Sequence, residues 1–120
     1  MNEFGKYLRR KRMERGLSLK YLAEVMGISS VYLCDVERGR RNSFDLERLE
    51  VIAKELKMGK EETNKLMDLA GFQRDEIAPD ISKYILENEP VKKALRVAKD
   101  AKSDDSVWME FIKKMEEGKW

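Results

Sequence analysis

Glycines spaced behind runs of helical periodicity constrain this chain more than any other feature. Gly16, Gly27, Gly39, Gly59 and Gly71 each follow a stretch in which apolar residues recur three or four positions apart, the mark of a helix with one buried face. The first stretch runs from Asn2, a candidate cap, to about Arg15 and sets Phe4, Tyr7 and Leu8 on one side. Ser18 caps a second with Leu19, Leu22, Ala23 and Met26 inward, and Ser29 or Ser30 caps a third through about Arg38 with Tyr32, Leu33 and Val36 inward. A fourth opens at Asp45 and carries Leu46, Leu49, Ile52, Ala53 and Leu56 to a stop near Met58 and Gly59. A fifth opens at about Lys60, with Glu61 and Glu62 at the positive end of its dipole, and carries Leu66, Leu69 and Ala70 before Gly71.

Beyond a loop at Phe72 to Ala78, Pro79 starts a helix with Ile81, Tyr84 and Ile85, and Pro90 starts another with Val91, Ala94, Leu95 and Ala98. Ser103 caps a last one with Val107, Trp108, Phe111, Ile112 and Met115. Charged residues make up 40% of the 120 residues and prolines number two, so the charge must coat helices rather than fill loops. The pattern predicts an all-α protein: a five-helix domain over residues 1–71 and a C-terminal helical extension over 72–120.

Several chemistries recede at once. The chain has no histidine and one cysteine, Cys34, so the commonest general base is missing and neither an internal disulfide nor a Cys-x-x-Cys metal site can form. No cofactor or metal is expected, and an enzyme reading rests only on carboxylates that solvated helices explain better. The apolar runs are too short to cross a bilayer and the first twelve residues lack an apolar signal core, which predicts a cytoplasmic chain without membrane association.

Charge is unevenly spread. Residues 1–60 carry 14 Lys and Arg against 9 Asp and Glu, residues 61–120 carry 11 against 14, and residues 6–41 alone carry 10 against 4. The first half is built to meet an anion, whether phosphate, an acidic protein or a membrane surface. Its basic residues form two clusters, Lys6 to Arg15 and Arg38 to Arg41, on either side of a mainly apolar stretch.

Between those clusters lie two short helices joined by a glycine-containing turn, the arrangement that can set a second helix in the DNA major groove. Leu8-Arg9-x-x-Arg12, Gly16-Leu17-Ser18, Leu22-Ala23, Gly27-Ile28-Ser29, Tyr32-Leu33, Val36-Glu37-Arg38-Gly39 and Leu49-x-x-Ile52-Ala53 resemble the phage-repressor and Cro-like helix-turn-helix family of bacterial regulators, also called the xenobiotic-response-element type. The resemblance covers about half of the chain. It implies a lambda-repressor-like five-helix DNA-binding domain, with Leu19 to Val25 as positioning helix and Ser29 to Arg38 as recognition helix.

The resemblance also implies roles for single residues. Ser30, Val31, Cys34 and Asp35 fall at groove-facing positions, where hydroxyls, a methyl against thymine and a carboxylate accepting from cytosine can all read bases. The matching arginine and glutamate pair in the family, so Arg12 and Glu37 are expected to form a structural ion pair. Tyr32 belongs to the core edge or the phosphate side, Asp35 needs a cytosine amine or a neighbouring arginine, and Cys34 is a small groove-edge residue. Arg40 and Arg41, in an exposed loop, are phosphate contacts; Arg9 and Arg10 are read as a solvated helix face. Two departures from the family stand out. Leu19 replaces a frequent glutamine, leaving only its backbone N–H for a phosphate, and the loop around Ser43 and Phe44 is one residue longer and lacks a frequent proline. The expected DNA-binding set is therefore Leu19, Ser29, Ser30, Val31, Tyr32, Cys34, Asp35, Arg40 and Arg41.

In the extension, Trp108, Phe111, Ile112 and Met115 form an apolar stripe with little core of its own to cover, a candidate homodimer interface. The expected function is a sequence-specific transcriptional regulator that recognises double-stranded DNA. A repressor is favoured, binding a near-palindromic operator as a dimer. The alternative is an antitoxin or adaptor, an interaction module whose C-terminal helices hold a protein partner while its basic half binds DNA as an accessory.

Overall fold

A computed structural model describes residues 3–119. These residues form eight helices and no strand: α1 (Glu3–Glu14), α2 (Leu19–Met26), α3 (Ser30–Glu37), α4 (Leu46–Glu55), α5 (Lys60–Gln73), α6 (Pro79–Leu86), α7 (Glu89–Asp100) and α8 (Asp105–Glu117). The chain divides into two compact units, one ending at Lys83 and one beginning at Tyr84. Among the described residues no helix is long and apolar enough to cross a membrane.

Local chemistry sets the helix ends. The Ser18 and Ser29 hydroxyls each accept from the backbone N–H three residues on, at Tyr21 and Tyr32, both at 3.0 Å; Ser29 is therefore the cap of α3 and Ser30 its first residue. The Asp45 carboxylate accepts from Arg48 N–H at 3.0 Å. Gly27 ends α2 in a left-handed conformation, φ 73°, and the following Ile28 N–H closes back on the Ala23 carbonyl at 3.0 Å. The proposed cap at Asn2 lies outside the described residues.

The first unit buries one core. Phe4, Tyr7 and Leu8 of α1, Leu22, Ala23 and Met26 of α2, and Leu33 and Val36 of α3 meet Leu49, Ile52 and Leu56 of the α4 segment and Leu66, Met67 and Ala70 of α5. Within this unit α1 packs on α5 and α3, α2 on α3 and α4, and α4 on α5. Leu19, Tyr32, Leu46, Ala53 and Leu69 are only partly buried at its margin. Gly5 permits the closest approach: a Cβ there would run into the Glu37 carbonyl oxygen and stand 2.8 Å from that of Val36, so α1 lies directly against the end of α3.

Three expected boundaries move. Gly59 does not stop α4; Lys57 takes the left-handed position, φ 51°, and Gly59 instead precedes α5, its N–H donating to the Glu62 carboxylate at 3.2 Å. Gly71 does not stop α5, which continues to Gln73, with Asp75 as the left-handed residue, φ 58°. Gly71 is buried because the chain folds back over it, and a Cβ there would meet the Ala78 amide nitrogen at 2.7 Å. Asp104, not Ser103, caps α8. Its carboxylate accepts from both the N–H and the hydroxyl of Ser106, which together lower its pKa below the ordinary value. In the second unit none of the residues of α7 and α8 is buried.

Candidate nucleic-acid interface

The helix pair α2 and α3 is joined by Gly27, Ile28 and Ser29. Leu33, Val36 and Glu37 bury one side of α3, which leaves the other side to solvent at its first turn. Val31 is 71% exposed, the most outward of its apolar residues, and Ser29 is exposed beside it. Ser30, Tyr32, Cys34 and Asp35 are half-buried.

Glu37 is a charged side chain in the core, 3% exposed, and its burial is matched by bidentate pairing. Arg12 Nε donates to Oε2 at 2.8 Å and Nη2 to Oε1 at 2.9 Å, while Nη1 donates to the Leu17 carbonyl at 2.9 Å. One guanidinium thus joins α1, the end of α3 and the turn before α2. The hydrogen bonds to Glu37 raise the Arg12 pKa above its ordinary value, against the opposing effect of burial.

The loop arginines fold back on α3. Arg40 Nη1 lies 3.8 Å from Asp35 Oδ1, so the carboxylate has a basic neighbour in the absence of DNA. The Arg41 guanidinium sits 4.0 Å from the centre of the Tyr32 ring, and that ring stacks on Phe44 at 5.7 Å. Phe44, 2% exposed, makes an edge contact with Phe4 of α1. A recess of about 150 Å³ opens beside α3, lined by Arg9, Arg12, Leu19, Cys34, Glu37 and Arg38.

Besides the ion-paired Arg12, that recess contains two arginines, Arg9 and Arg38, that are absent from the expected DNA-binding set. Arg9 lies three residues before Arg12, hence on the same helical side, and this spacing was the available signal. Arg38 is the C-cap of α3. Among the described residues no group of three or more Cys, Asp or Glu is placed to hold a metal ion. In the second unit, Trp108 and Phe111 make an edge contact at 6.0 Å; Trp108 is half-buried, and Phe111, Ile112 and Met115 are exposed.

Comparison with known proteins assigns this geometry to a family. No curated protein matched the sequence. A solved chain from the SinR protein/SinI protein complex is 22% identical, with a TM-score of 0.47 over 97% of each chain. Residues 3–66, which span α1 to α4 and the first half of α5, match a family described as "Helix-turn-helix domain". With more than half of its length inside that match, the chain belongs to the helix-turn-helix domain family of DNA-binding folds.

Proposed function

We propose that the protein is a sequence-specific transcriptional regulator, a repressor that occupies a near-palindromic operator as a dimer. The observation that carries this reading is the outward side of α3. A helix whose inner face is locked into the core by Leu33, Val36 and the Arg12–Glu37 pair nevertheless presents Ser29 and Val31 to solvent at its first turn, flanked by Arg38, Arg40 and Arg41. Rigid support behind and small, varied groups in front suit base readout, while the flanking arginines suit phosphate. Ser30, Cys34 and Asp35 complete the reading set, and the Leu19 N–H, Tyr32, Arg40 and Arg41 serve the backbone.

The dimer is assigned to the extension. Ile112 and Met115 expose apolar surface along α8 beside Trp108 and Phe111, and a second copy would cover it. Two recognition helices about 34 Å apart would then meet successive major-groove faces. The same exposed stripe also suits the alternative, in which these helices hold a different protein as an antitoxin or adaptor does.

Selection from a random duplex pool, followed by titration across salt concentrations, tests the function. A selected sequence bound at least about tenfold tighter than random DNA, with one motif repeated in inverted orientation, supports the regulator. A ratio below that for every selected sequence refutes it. Sedimentation of the full chain and of Ile112→Asp/Met115→Asp tests the interface: an intact chain that stays monomeric at tens of micromolar, or a variant that remains dimeric, overturns the placement.

A further inference from the structure

The loop between α3 and α4 is held from a second side that the DNA-binding reading does not use. The last turn of α5 reaches across to it. Gln73 Nε2 donates to Asn42 Oδ1 at 3.1 Å while Gln73 Oε1 accepts from Ser43 N–H at 2.7 Å. The buried Ser43 hydroxyl donates to the Ala70 carbonyl at 2.8 Å, and Arg74 Nη2 donates to the Ser43 carbonyl at 2.7 Å. Both backbone groups of Ser43 are thereby taken by side chains at the end of α5, about thirty residues away, immediately after Arg40 and Arg41. Gln73 can be there only because α5 runs on past Gly71, where the returning Ile77–Ala78 backbone leaves no room for a Cβ.

We propose that Gln73 is a positioning residue for DNA binding: by fixing Asn42 and Ser43 it sets where the Arg40 and Arg41 guanidinium groups meet the phosphate backbone. The inference rests on the DNA-binding reading above. The Arg41 guanidinium is held over the Tyr32 ring, and a guanidinium in that position keeps N–H donors for an oxygen acceptor. Phe44 stacks against Tyr32, and Ser43 is the chain neighbour of Phe44. The Arg40–Asp35 contact is long and solvated, too weak to hold the loop alone. With the α5 clamp in place, the loop is ordered before DNA arrives and its ordering entropy is not charged against binding.

The experiment is a mutant cycle on the full chain, read by anisotropy on a random-sequence duplex and on a selected one across salt concentrations, with melting recorded for each variant. Gln73→Ala is expected to weaken both duplexes about two- to tenfold, to leave base preference unchanged, and to lower the log-log salt slope by up to about 0.9 for each phosphate no longer engaged. In the Arg40→Ala/Arg41→Ala background the same change is expected to cost nothing further. A purely structural residue would weaken binding equally in both backgrounds, and that result overturns the proposal. Asn42→Ala removes one of the two Gln73 contacts at an exposed side chain, leaving the Ser43 bond, and should reproduce part of the effect should Gln73→Ala unfold. Unaltered affinity in both variants, while the unmodified chain binds duplex DNA, overturns the positioning role alone. Failure of the unmodified chain to bind any duplex overturns the DNA reading and this inference with it.

Discussion

Replacing Glu37 by alanine leaves the Arg12 guanidinium in the first unit with one acceptor, the Leu17 carbonyl, where it had three. The two bonds removed are short, charge-assisted and parallel, and their side chains are only 12% and 4% exposed. Removing one member of such a pair costs about 3–5 kcal/mol, chiefly by stranding the other charge. Some water reaches Arg12, which places the loss at the lower end, about 3 kcal/mol. That is a large share of a total stability of about 5–15 kcal/mol and a melting shift of roughly 12–24 °C for a unit of this size. Calorimetry is the assay of choice, because both tryptophans lie beyond Lys83, outside the unit in which Glu37 is buried. Folded Glu37→Ala protein should select the same DNA sequence as the unmodified chain. A double replacement, Arg12→Met with Glu37→Leu, should recover most of the loss, because it removes both charges together. A loss below about 1 kcal/mol on Glu37→Ala, or an equal loss in the double variant, would refute the stranded-charge argument.

Other perturbations separate the remaining roles. Changing the shape of Ser30 or Val31 should alter the preferred base in each half-site by about 1–3 kcal/mol, whereas Arg41→Ala should weaken specific and random duplexes alike and reduce the salt slope by about 1 per subunit; selection followed by salt titration distinguishes them. Glu62 accepts from Lys11 at 2.8 Å and from the Gly59 N–H, and these bonds lower its pKa below the ordinary 4.5. Its contribution is therefore complete above that value and lost as pH falls through the lowered one, so Glu62→Gln should flatten the acid limb of a stability-versus-pH curve. Gly71→Ala should destabilise by about 1–3 kcal/mol in denaturant melts, because the Ala78 backbone must move away from the new methyl.

What the sequence disclosed and what it withheld divide by the range of the interaction. Ser18, Ser29 and Asp45 cap their helices by bonds that reach three residues, and the buried faces of α1 and α2 follow from a period of 3.6, so both are written locally. Gly59 and Gly71 show where that reading fails. A glycine behind an apolar run signals a stop, yet Lys57 and Asp75 supply the left-handed turns at the ends of α4 and α5, at a cost that an L-residue bears only when surrounding contacts fix the turn. Gly71 serves another purpose: it lets the Ile77–Ala78 backbone cross the helix and so allows α5 to continue to Gln73. No periodicity links Gln73 to Ser43, thirty positions earlier, or Arg12 to Glu37, twenty-five positions later; the second pair was legible only because it matches a known family, and the first had no such guide. At Ser103 and Asp104 two good caps stand side by side, and the carboxylate prevails because it satisfies the N–H and the hydroxyl of Ser106 together. The stripe on α8 is legible as apolar, but its spacing holds for a helix that covers a core and for one that meets a second chain. Only burial separates those cases, and a period of 3.6 carries no information about burial: α1 and α8 share that period, yet α1 buries Phe4, Tyr7 and Leu8 while in α7 and α8 no residue is buried.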